Sequence, residues 1–421
     1  MWNKKTIDIQ TPISSLLLKK LENSYSHIAY LNGNKSNKLF LALGSRELFS
    51  FDNDLFDELN AFINNNWVFG YFGYDLKNTI EPSLSSKNED FINLDDYHFF
   101  IPEVVIEIDE SETYIHYQNE TEVEKFDQIS KSNLDQQSNQ NSNINLHHKV
   151  SKTEYLQHVK DIKQEIQLGN IYEMNFCHEF FASDVTLNTV DTYSKLNELT
   201  QAPFSCFYKN KDQFILSGSP ERFLKKEGNT IISQPIKGTA KRGNTKEEDE
   251  EIKLALENDP KERSENIMIV DLVRNDLSKT AEKNSVTVNE LCKIYTFETV
   301  HQMISTVTSR VNSKTKITDI IKHAFPMGSM TGAPKVEAMK IIEQHESSKR
   351  GVYSGAIGYF TPSSDFDFNV VIRSILYNKA LKRCSFMVGG AITLKSDPEK
   401  EYEETLTKAQ ALIKALSSNE K

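Results

Sequence analysis

The stretch Phe204-Ser-Cys-Phe-Tyr-Lys-Asn-Lys-Asp-Gln-Phe-Ile-Leu-Ser-Gly218 contains two short runs rich in aromatic and aliphatic side chains. Such runs are typical of β-strands, and here the runs at residues 204–208 and 214–218 follow each other with no helical segment between them. A doubly wound fold would instead alternate strands with helices regularly. This stretch therefore favours an α+β fold with large antiparallel sheets over a Rossmann layout.

Strand and helix patterns mix in the same irregular way on both sides of this stretch. The segment from Thr153 to Leu168 is predicted to be a helix that ends at Gly169, a residue suited to a left-handed C-cap. Further strands are predicted at residues 172–181, 354–360, 369–377 and 385–388. Nearer the N-terminus, apolar or alternating segments at 28–31, 39–43 and 104–108 predict strands of a sheet with one exposed face.

The composition is that of an ordinary globular protein, with 38% hydrophobic and 26% charged residues in a chain of 421. The formal net charge of -11 argues against general nucleic-acid binding, although a local basic pocket can still hold an anionic substrate. The apolar runs are too short to cross a bilayer, and the N-terminus lacks the pattern of an export signal. We therefore expect a cytoplasmic protein that contacts neither membranes nor nucleic acids.

The four cysteines are widely spaced, at positions 177, 206, 292 and 384, with no CxxC pair. This spacing predicts reduced, partly buried thiols and neither a zinc site nor a disulfide framework.

A polar stretch from Lys131 to Asn145 is too poor in apolar side chains to pack, which predicts a flexible connection. On this basis the chain divides into a strand-rich N-terminal subregion of the fold (1–130), a polar linker (131–149) and a C-terminal region that carries the candidate site (150–421).

The segment Pro235-Ile-Lys-Gly-Thr239 places Lys237 between an apolar residue and a glycine. Burial removes solvation from a charged amine, so we expect the pKa of Lys237 to fall and the neutral amine to be available as a nucleophile. Gly238 would let the backbone approach a ligand closely. A surface lysine whose stem packs while its ammonium reaches water is the alternative that this segment alone leaves open.

Two helical segments carry acidic residues. The segment from Glu265 to Asp276 is apolar on nearly every side through residues 267–270, so it should be buried, and its acids must be paired or bind a cation. The alternative is internal pairing of Asp271 with Arg274, three residues apart.

In the later helix, Glu401, Glu404 and Lys408 share one face at i, i+3 and i+7. The alternative there is a solvent-exposed pair between Glu404 and Lys408. Two carboxylates from separate helices, together with an anionic ligand, would suit Mg²⁺, whereas the lack of a histidine cluster disfavours iron, copper and zinc.

Two glycine-containing loops could present backbone amides to an anion. The segment Gly328-Ser-Met-Thr-Gly-Ala-Pro-Lys335 precedes an amphipathic helix, with Pro334 expected at the first helical position. It differs from a phosphate loop because no Ser or Thr follows Lys335 and because Pro334 removes an amide, so nucleotide binding is not expected. The pair Gly389-Gly390 follows a strand and suits either a ligand contact or an ordinary turn.

Taken in order, several segments resemble the chorismate-binding enzymes, a family that includes anthranilate synthase component I and the isochorismate and salicylate synthases. The segments are residues 219–223, 235–239, 265–276, 325–335, 354–359, 372–374, 389–391 and 401–408. The resemblance covers about residues 153–416, and is weaker toward the N-terminus, where Gly70-Tyr-Phe-Gly-Tyr-Asp75 carries it. It implies a single complex fold of two large antiparallel β-sheets packed together and flanked by helices, with the active site between them.

The resemblance also implies roles for individual residues. Lys237 would be the nucleophile and Glu221 the acid/base that manages protons around it. Glu265 and Glu404 would hold Mg²⁺, with assistance from Glu401. The carboxylates of chorismate would be held by a larger set, namely Gly238, Thr239, Tyr359, Arg373, Gly389, Gly390, Ala391 and Lys408. Ser329 and Thr331, in the glycine-containing loop, are further candidates.

Lys237 distinguishes the members of the family. Those that form 4-amino-4-deoxychorismate have Pro-Ile-Lys-Gly-Thr, whereas anthranilate synthases have alanine in place of the lysine. The resemblance thus implies that Lys237 attacks C2 of chorismate as the C4 hydroxyl leaves, after which ammonia adds at C4 and expels the lysine. The ammonia would come from a separate glutamine amidotransferase subunit. Anthranilate synthase component I is the nearest enzymatic alternative.

Two positions depart from the family pattern. Glu173 stands where water-using relatives carry lysine and amine-using relatives usually carry glutamine, and its role is left open. His301 is adjacent to Gln302, where several relatives place a catalytic histidine.

A tryptophan-sensing scaffold is the non-enzymatic alternative. Its binding pocket would lie near Asn32 and Pro203-Phe204-Ser205. The joint retention of Glu221, Lys237, Glu265 and Glu404 argues against lost catalysis.

Overall fold

In the computed structural model, residues 1–7, 13–34, 38–109, 112–132, 144–298 and 300–417 are described. Their strands, in chain order, are β1 (Asn3–Thr6), β2 (His27–Asn32), β3 (Leu39–Leu43), β4 (Glu47–Leu48), β5 (Val68–Phe72), β6 (Tyr97–Ile101), β7 (Val104–Ile108), β8 (Thr113–Tyr117), β9 (His147–His148), β10 (Glu173–Ala182), β11 (Phe204–Asn210), β12 (Gln213–Ser219), β13 (Arg222–Glu227), β14 (Thr230–Gln234), β15 (Ile236–Lys241), β16 (Thr287–Thr296), β17 (Val300–Arg310), β18 (Gly332–Ala333), β19 (Ala356–Phe360), β20 (Phe366–Val370), β21 (Ser374–Asn378) and β22 (Arg383–Ile392).

The helices flank these strands. They are α1 (Ser15–Ser24), α2 (Leu55–Ile63), α3 (Lys77–Ile80), α4 (Glu120–Lys131), α5 (Lys152–Gln167), α6 (Thr189–Thr200), α7 (Lys246–Glu257), α8 (Pro260–Ser278), α9 (Ile317–Ala324), α10 (Lys335–His345) and α11 (Pro398–Leu416), with short 3-10 helices at Tyr74–Leu76 and Gly328–Met330.

The strands form two antiparallel sheets. Sheet 1 has the order β1-β8-β7-β3-β2-β11-β12-β21-β22-β10-β18, with β9 also paired to β10. Sheet 2 has the order β15-β17-β14-β13-β20-β19-β5-β6-β4, with β16 also paired to β17. The α+β fold with two large antiparallel sheets is therefore confirmed, and β11 and β12 pair directly, with Phe204 opposite Ser219.

Apolar side chains form three main layers. One lies between the sheets and includes Phe40, Tyr208 and Ile357. A second packs α1, α4, α6 and α11 onto the outer face of sheet 1, and a third packs α2, α8 and α9 onto the outer face of sheet 2. Burial of the first layer holds the two sheets together, and burial of the other two attaches the helices to their outer faces.

The described part of residues 1–130 contributes to both sheets. It supplies β1 to β3, β7 and β8 to sheet 1, and β4 to β6 to sheet 2. Within the predicted linker, β9 pairs with β10, while residues 133–143 lie outside the described part of the chain.

The predicted helix after Ser151 is confirmed. Ser151 and Glu154 form a capping box at its start, and Gly169 follows its end with φ +83°. This is the left-handed conformation that glycine adopts without a steric penalty.

The single strand predicted at 369–377 is wrong, because it is two strands in different sheets. β20 ends at Val370 in sheet 2 and β21 begins at Ser374 in sheet 1. The chain crosses between the sheets at this point, and Arg373 adopts φ +50° there. Periodicity alone does not reveal such a crossing, since both strands are apolar and buried.

Two smaller boundaries also differ. The strand predicted to begin at Ser354 begins at Ala356, since Ser354 has φ +62°. Pro334 precedes α10 as its N-cap, and the first helical residue is Lys335, because Pro334 keeps an extended ψ of 141°.

Helix α8 is buried on one side only. Ile269 and Val270 are buried, but Ile267 is 40% exposed, so the prediction of burial all round is wrong. A helix turns 100° per residue, and four consecutive apolar residues therefore cannot all face the core. The predicted internal pair does form, with Arg274 Nη1 2.7 Å from Asp271 Oδ1 in an exposed position.

The four cysteines are buried and form no disulfide. None of the described helices is both long and apolar enough to cross a membrane.

Candidate active site

Lys237 lies in β15, where pairing with β17 is interrupted between Ile236 and Thr239. Gly238 has φ +83°, and a Cβ atom at this position would lie 3.1 Å from both Glu262 Oε2 and Leu256 Cδ1. The close approach that glycine permits here is therefore that of α7 and α8. This local irregularity brings Lys237 next to α8.

The ammonium group of Lys237 is surrounded by acids from separate elements. The residue is half-buried, and it lies in a cleft whose walls surround the ammonium group on most sides. Burial lowers the pKa of Lys237, but the charges of Glu173, Glu265, Glu221 and Glu404 together raise it above its ordinary value. The expected fall in pKa is thus wrong, because four carboxylates outweigh the loss of hydration. Lys237 must give up a proton before it can act as a nucleophile.

Glu221 lies between β12 and β13, and it is buried. Burial raises the pKa of its carboxyl to about 7, against the lowering effects of a hydrogen bond from Ser329 and the charges of Lys237 and Arg373. A carboxyl group with this pKa can both donate and accept a proton near neutral pH. Ser329 therefore belongs to the site through Glu221.

The three acids predicted to hold a metal converge from two helices. Burial raises the pKa of Glu265 to about 7 in spite of the charges of Lys237 and Lys261, and Glu265 Oε1 is buried without a hydrogen-bond partner among the described residues. Glu401 accepts a hydrogen bond of 3.2 Å from Lys261 Nζ. Glu404 Oε1 lies 2.7 Å from Lys408 Nζ. The predicted i,i+4 pair thus forms, but it faces the other acids.

The side chain of Glu404 is partly exposed to solvent and also lies close to several lysines. Its side chain is 47% exposed. Burial raises the pKa of its carboxyl, but the ammonium groups of Lys408, Lys261 and Lys237 outweigh burial and lower it. The group is therefore charged at neutral pH, in an open position near three lysine ammonium groups.

The two glycines in β22 have different surroundings. A Cβ at Gly389 would collide with Cys177 Sγ and lie 2.5 Å from the Phe176 carbonyl oxygen. A Cβ at Gly390 would instead lie 3.5 Å from Glu401 Oε2, 3.8 Å from Glu404 Oε1 and 3.9 Å from Lys408 Nζ. Gly390 therefore forms the floor of the acidic cluster, while Gly389 allows β22 to pack on β10.

Lys408 and Arg373 supply positive charge from two directions. Lys408 Nζ donates a 2.8 Å hydrogen bond to the Gly389 carbonyl oxygen. Burial lowers the pKa of Arg373, which faces the charge of Glu221.

Two other residues predicted to contact the substrate lie in paired strands. Thr239 pairs with Gln302 across β15 and β17, and Ala391 pairs with Asn175 across β22 and β10.

Tyr359 is not brought to this cluster. Its ring packs against Phe40 at 4.5 Å between centroids and lines a separate cavity between the two sheets. Side chains alternate along a strand, so Tyr359 points away from the face of sheet 2 that carries Ala356 and Phe360 and packs against α8. The predicted substrate contact is therefore not supported by its position.

This second cavity has a volume of about 1110 Å³. All four residues of the predicted tryptophan pocket line it, namely Asn32, Pro203, Phe204 and Ser205. The Ser205 hydroxyl donates a 3.0 Å hydrogen bond to the Tyr193 hydroxyl. The four residues predicted to form a pocket therefore line the same cavity.

His301 and Thr331 have structural partners. His301 is buried, with Nε2 2.9 Å from Asp249 Oδ1 and Nδ1 2.9 Å from the Thr296 hydroxyl. The Thr331 hydroxyl donates to the Met327 carbonyl oxygen at 3.1 Å. Both nitrogens of His301 are engaged away from Lys237, so the structure gives it no catalytic contact.

Two residues of the site were missed from the sequence. Lys261 bridges Glu265 and Glu401. Glu262 is the second, and burial raises the pKa of its carboxyl in spite of the nearby charges of Lys261 and Lys237. Both precede Glu265 by three or four positions in α8, so helical periodicity from Glu265 could have found them.

The acids of this site bear on whether it could hold a magnesium ion. No three acidic, histidine or cysteine side chains within the described ranges form a ready-made metal site. The donor set nevertheless suits Mg²⁺, because it consists of carboxylates from two helices and includes a buried Glu265 oxygen with no hydrogen-bond partner among the described residues. Glu401 and Glu404 each contact a lysine, and a divalent cation would satisfy them instead. The residues present therefore fit the ion.

Comparisons of the sequence and of the fold with known proteins point to one family. The family profile described as chorismate binding enzyme matches residues 23–414. A probable chloroplastic aminodeoxychorismate synthase from rice is 41% identical over 269 residues, which cover 63% of this chain and 30% of that protein. Aminodeoxychorismate synthase component 1 from Salmonella typhimurium is 37% identical over 269 residues, covering 64% of this chain and 59% of that protein. The match therefore spans less than two thirds of either relative.

A solved structure gives the same fold. Anthranilate synthase component I from Streptococcus pneumoniae superposes with a TM-score of 0.80 at 25% identity, over 90% of this chain and 92% of that one.

Proposed function

This chain belongs to the chorismate-binding enzyme family, and we propose that it converts chorismate and ammonia to 4-amino-4-deoxychorismate, as component I of an aminodeoxychorismate synthase. The observation that carries the proposal is the position of Lys237 among Glu173, Glu221, Glu265 and Glu404. The relatives named aminodeoxychorismate synthase support the same assignment.

In the proposed reaction Lys237 first passes a proton to a neighbouring carboxylate. The neutral amine attacks C2 of chorismate, the two ring double bonds shift, and the bond between C4 and its hydroxyl breaks. Glu221, protonated at this stage, gives its proton to the departing hydroxyl, which leaves as water. The products of this half-reaction are a lysine adduct at C2 and one water molecule.

The second half-reaction reverses the shift of double bonds. Ammonia attacks C4, the bond between C2 and the Lys237 nitrogen breaks, and the proton lost by the incoming amine is returned to the lysine. The net change replaces the C4 hydroxyl with an amino group and releases water. The first displacement uses the Lys237 amine as nucleophile and the second uses ammonia, so the covalent route divides one difficult step into two easier ones.

The remaining residues bind and orient chorismate. Arg373, Lys408 and the backbone of Gly390 would hold its carboxylates, and Glu265, Glu404 and Glu401 would hold Mg²⁺. The metal would add the positive charge that a doubly anionic substrate needs beside several glutamates.

The ammonia is proposed to come from a separate glutamine amidotransferase subunit. The product would be converted by a lyase to 4-aminobenzoate, a precursor of folate, and we place the reaction in the cytoplasm.

The test is incubation of the purified chain with chorismate, Mg²⁺ and an ammonium salt, followed by mass spectrometry. We expect aminodeoxychorismate as product and a chorismate-derived adduct on Lys237 in the absence of ammonia. Lys237→Ala should lose both, whereas Lys241→Ala, at the exposed end of the same strand, should keep both. Formation of anthranilate, or an unchanged rate in Lys237→Ala, would overturn the proposal.

The cavity between the sheets favours a second proposal, the binding of tryptophan as a sensed ligand. Its support is that Asn32, Pro203, Phe204 and Ser205 line one cavity of about 1110 Å³. Isothermal titration with tryptophan tests it, and Ser205→Trp, which would occupy the part of the cavity beside Asn32 and Phe204, should abolish the heat of binding. An absence of binding to the unmodified protein would refute this second proposal and leave the first untouched.

A further inference from the structure

Lys261 contacts the acidic cluster, but it was not predicted from the sequence and has no role in the proposed reaction. It is the second residue of α8, four positions before Glu265. Its Nζ atom lies 3.2 Å from Glu401 Oε1 and 3.8 Å from Glu265 Oε1. One ammonium group therefore bridges two of the three acids that were predicted to hold the metal, and these two acids come from different helices.

The three side chains of this bridge differ in how far they are exposed to solvent. The side chains of Glu401 and Glu265 are only 3% and 8% exposed, whereas that of Lys261 is 38% exposed. Two carboxylates enclosed in this way need a nearby positive charge, since an unpaired buried charge is costly. The lysine has a flexible stem and access to solvent, so it is the member of the trio that can move away.

The contacts of Lys261 are weaker than those of a permanent buried ion pair. Its distance to Glu265 exceeds hydrogen-bonding range, and Glu265 Oε1 has no hydrogen-bond partner within the described part of the chain. By contrast, Lys408 is anchored both to Glu404 and to the Gly389 carbonyl oxygen. Lys261 thus supplies charge to the cluster without satisfying all of its acceptor atoms.

We propose that Lys261 competes with the divalent cation for Glu265 and Glu401, so that the metal binds by displacing the lysine ammonium toward solvent. This inference rests on the proposed function, because it takes the divalent ion to be part of that site. A tethered single charge would keep the acids from repelling each other and would set the metal affinity to a lower value than the carboxylates alone would give. The lysine would also offset part of the negative charge of Glu265 and Glu401 between catalytic cycles.

Binding of Mn²⁺, measured by electron paramagnetic resonance of the free ion, tests the competition directly. Lys261→Gln removes the competing charge, so we expect Mn²⁺ to bind roughly three- to tenfold more tightly, the range that loss of a partly buried ion pair implies. Lys261→Arg keeps the charge and should bind close to the unmodified protein. Lys253→Gln removes the same charge from an exposed pair with Glu250 and is the matched control.

The outcomes separate the competition from a positioning role. If Lys261 instead holds Glu401 in place for the metal, Lys261→Gln would bind Mn²⁺ more weakly, which would overturn the proposal, as would an unchanged affinity. Thermal denaturation keeps the test valid if the variant is less stable, because Mn²⁺ should raise its melting temperature more than that of the unmodified protein. Failure of the unmodified protein to bind Mn²⁺ at all would instead count against the metal in the proposed function.

Discussion

At the scale of single residues, the behaviour of Glu221 depends on a balance that one hydroxyl group can change. Burial raises the pKa of its carboxyl to about 7, and the hydrogen bond from Ser329 is the largest effect that opposes burial. That hydrogen bond stabilises the charged carboxylate more than the neutral acid.

Ser329→Ala should therefore raise the pKa of Glu221. Loss of one hydrogen bond to a carboxylate corresponds to a shift of about 0.5 to 1 pH unit. The proposed first step needs a protonated Glu221, so activity should persist to higher pH in the variant than in the unmodified enzyme. The pH dependence of kcat measures this, and a profile that stays in place or moves to lower pH would remove Glu221 from the proton-donor role.

His301 should affect stability and leave the chemistry intact. It is buried and bonded through both ring nitrogens, so His301→Ala leaves Asp249 and Thr296 without a partner they now share. We expect a loss of about 1 to 3 kcal/mol in the free energy of unfolding, measured with urea, and a kcat close to that of the unmodified enzyme. A large loss of kcat without a loss of stability would restore a catalytic role.

Residue identities were easier to predict than residue environments. The family resemblance named Lys237, Glu221, Glu265 and Glu404 as site residues, and the charges of these three glutamates do act on Lys237, but the expected fall in the pKa of Lys237 is wrong. The four acids around the lysine are far apart in the chain, and their summed charge becomes visible only when the elements are assembled. Tyr359 shows the opposite case, since strand alternation relative to Ala356 and Phe360 would have placed it on the far face.

At the scale of elements, β22 contributes two adjacent glycines with different functions. Gly389→Ala would bring a methyl group against Cys177 and the Phe176 backbone, which cannot give way, so we expect a loss of about 1 to 3 kcal/mol or more in stability. Gly390→Ala meets only ordinary contacts and should fold normally.

The methyl group of Gly390→Ala would nevertheless project toward Glu401, Glu404 and Lys408. We expect this variant to keep its melting temperature while its KM for chorismate rises. Equal losses of stability in the two variants, or a normal KM in Gly390→Ala, would contradict the assignment of Gly390 to the floor of the site.

Element types were predictable because strand and helix periodicities are local. The helix after Ser151 follows from its capping residues, and the strands β11 and β12 follow from their apolar runs. The break between β20 and β21 was not predictable, since it arises from the crossing between sheets, where Arg373 takes a left-handed conformation. The break is set by the packing of β20 and β21 in different sheets, and the local strand propensity of the sequence does not reveal it.

At the scale of the whole molecule, the N-terminal and C-terminal parts share both sheets. β2 pairs with β11 in sheet 1, and β5 pairs with β19 in sheet 2. The strand patterns predicted large antiparallel sheets and the family resemblance implied two of them, but the order of their strands depends on long-range pairing that periodicity does not encode.

A protease site inserted between residues 132 and 144, followed by cleavage, tests this sharing. We expect the two fragments to elute together in native gel filtration and to keep most of the activity, because the pairing of β2 with β11 and of β5 with β19 does not need a continuous backbone. The same cleaved sample in urea should separate into two species. Dissociation under native conditions would show that the N-terminal part is an independent unit.

The interleaving of distant strands also bears on how the protein is made. β10 pairs with β22 and β5 with β19, so neither sheet has all of its partners until the ribosome has translated the C-terminal third of the sequence. Nascent chains must therefore expose apolar strands that lack part of their pairing for much of their synthesis, and we expect this exposure to favour aggregation. A premature stop codon before residue 356 would remove β19 and β22, so β5 and β10 would each permanently lack one neighbouring strand, and we expect the truncated product to misfold.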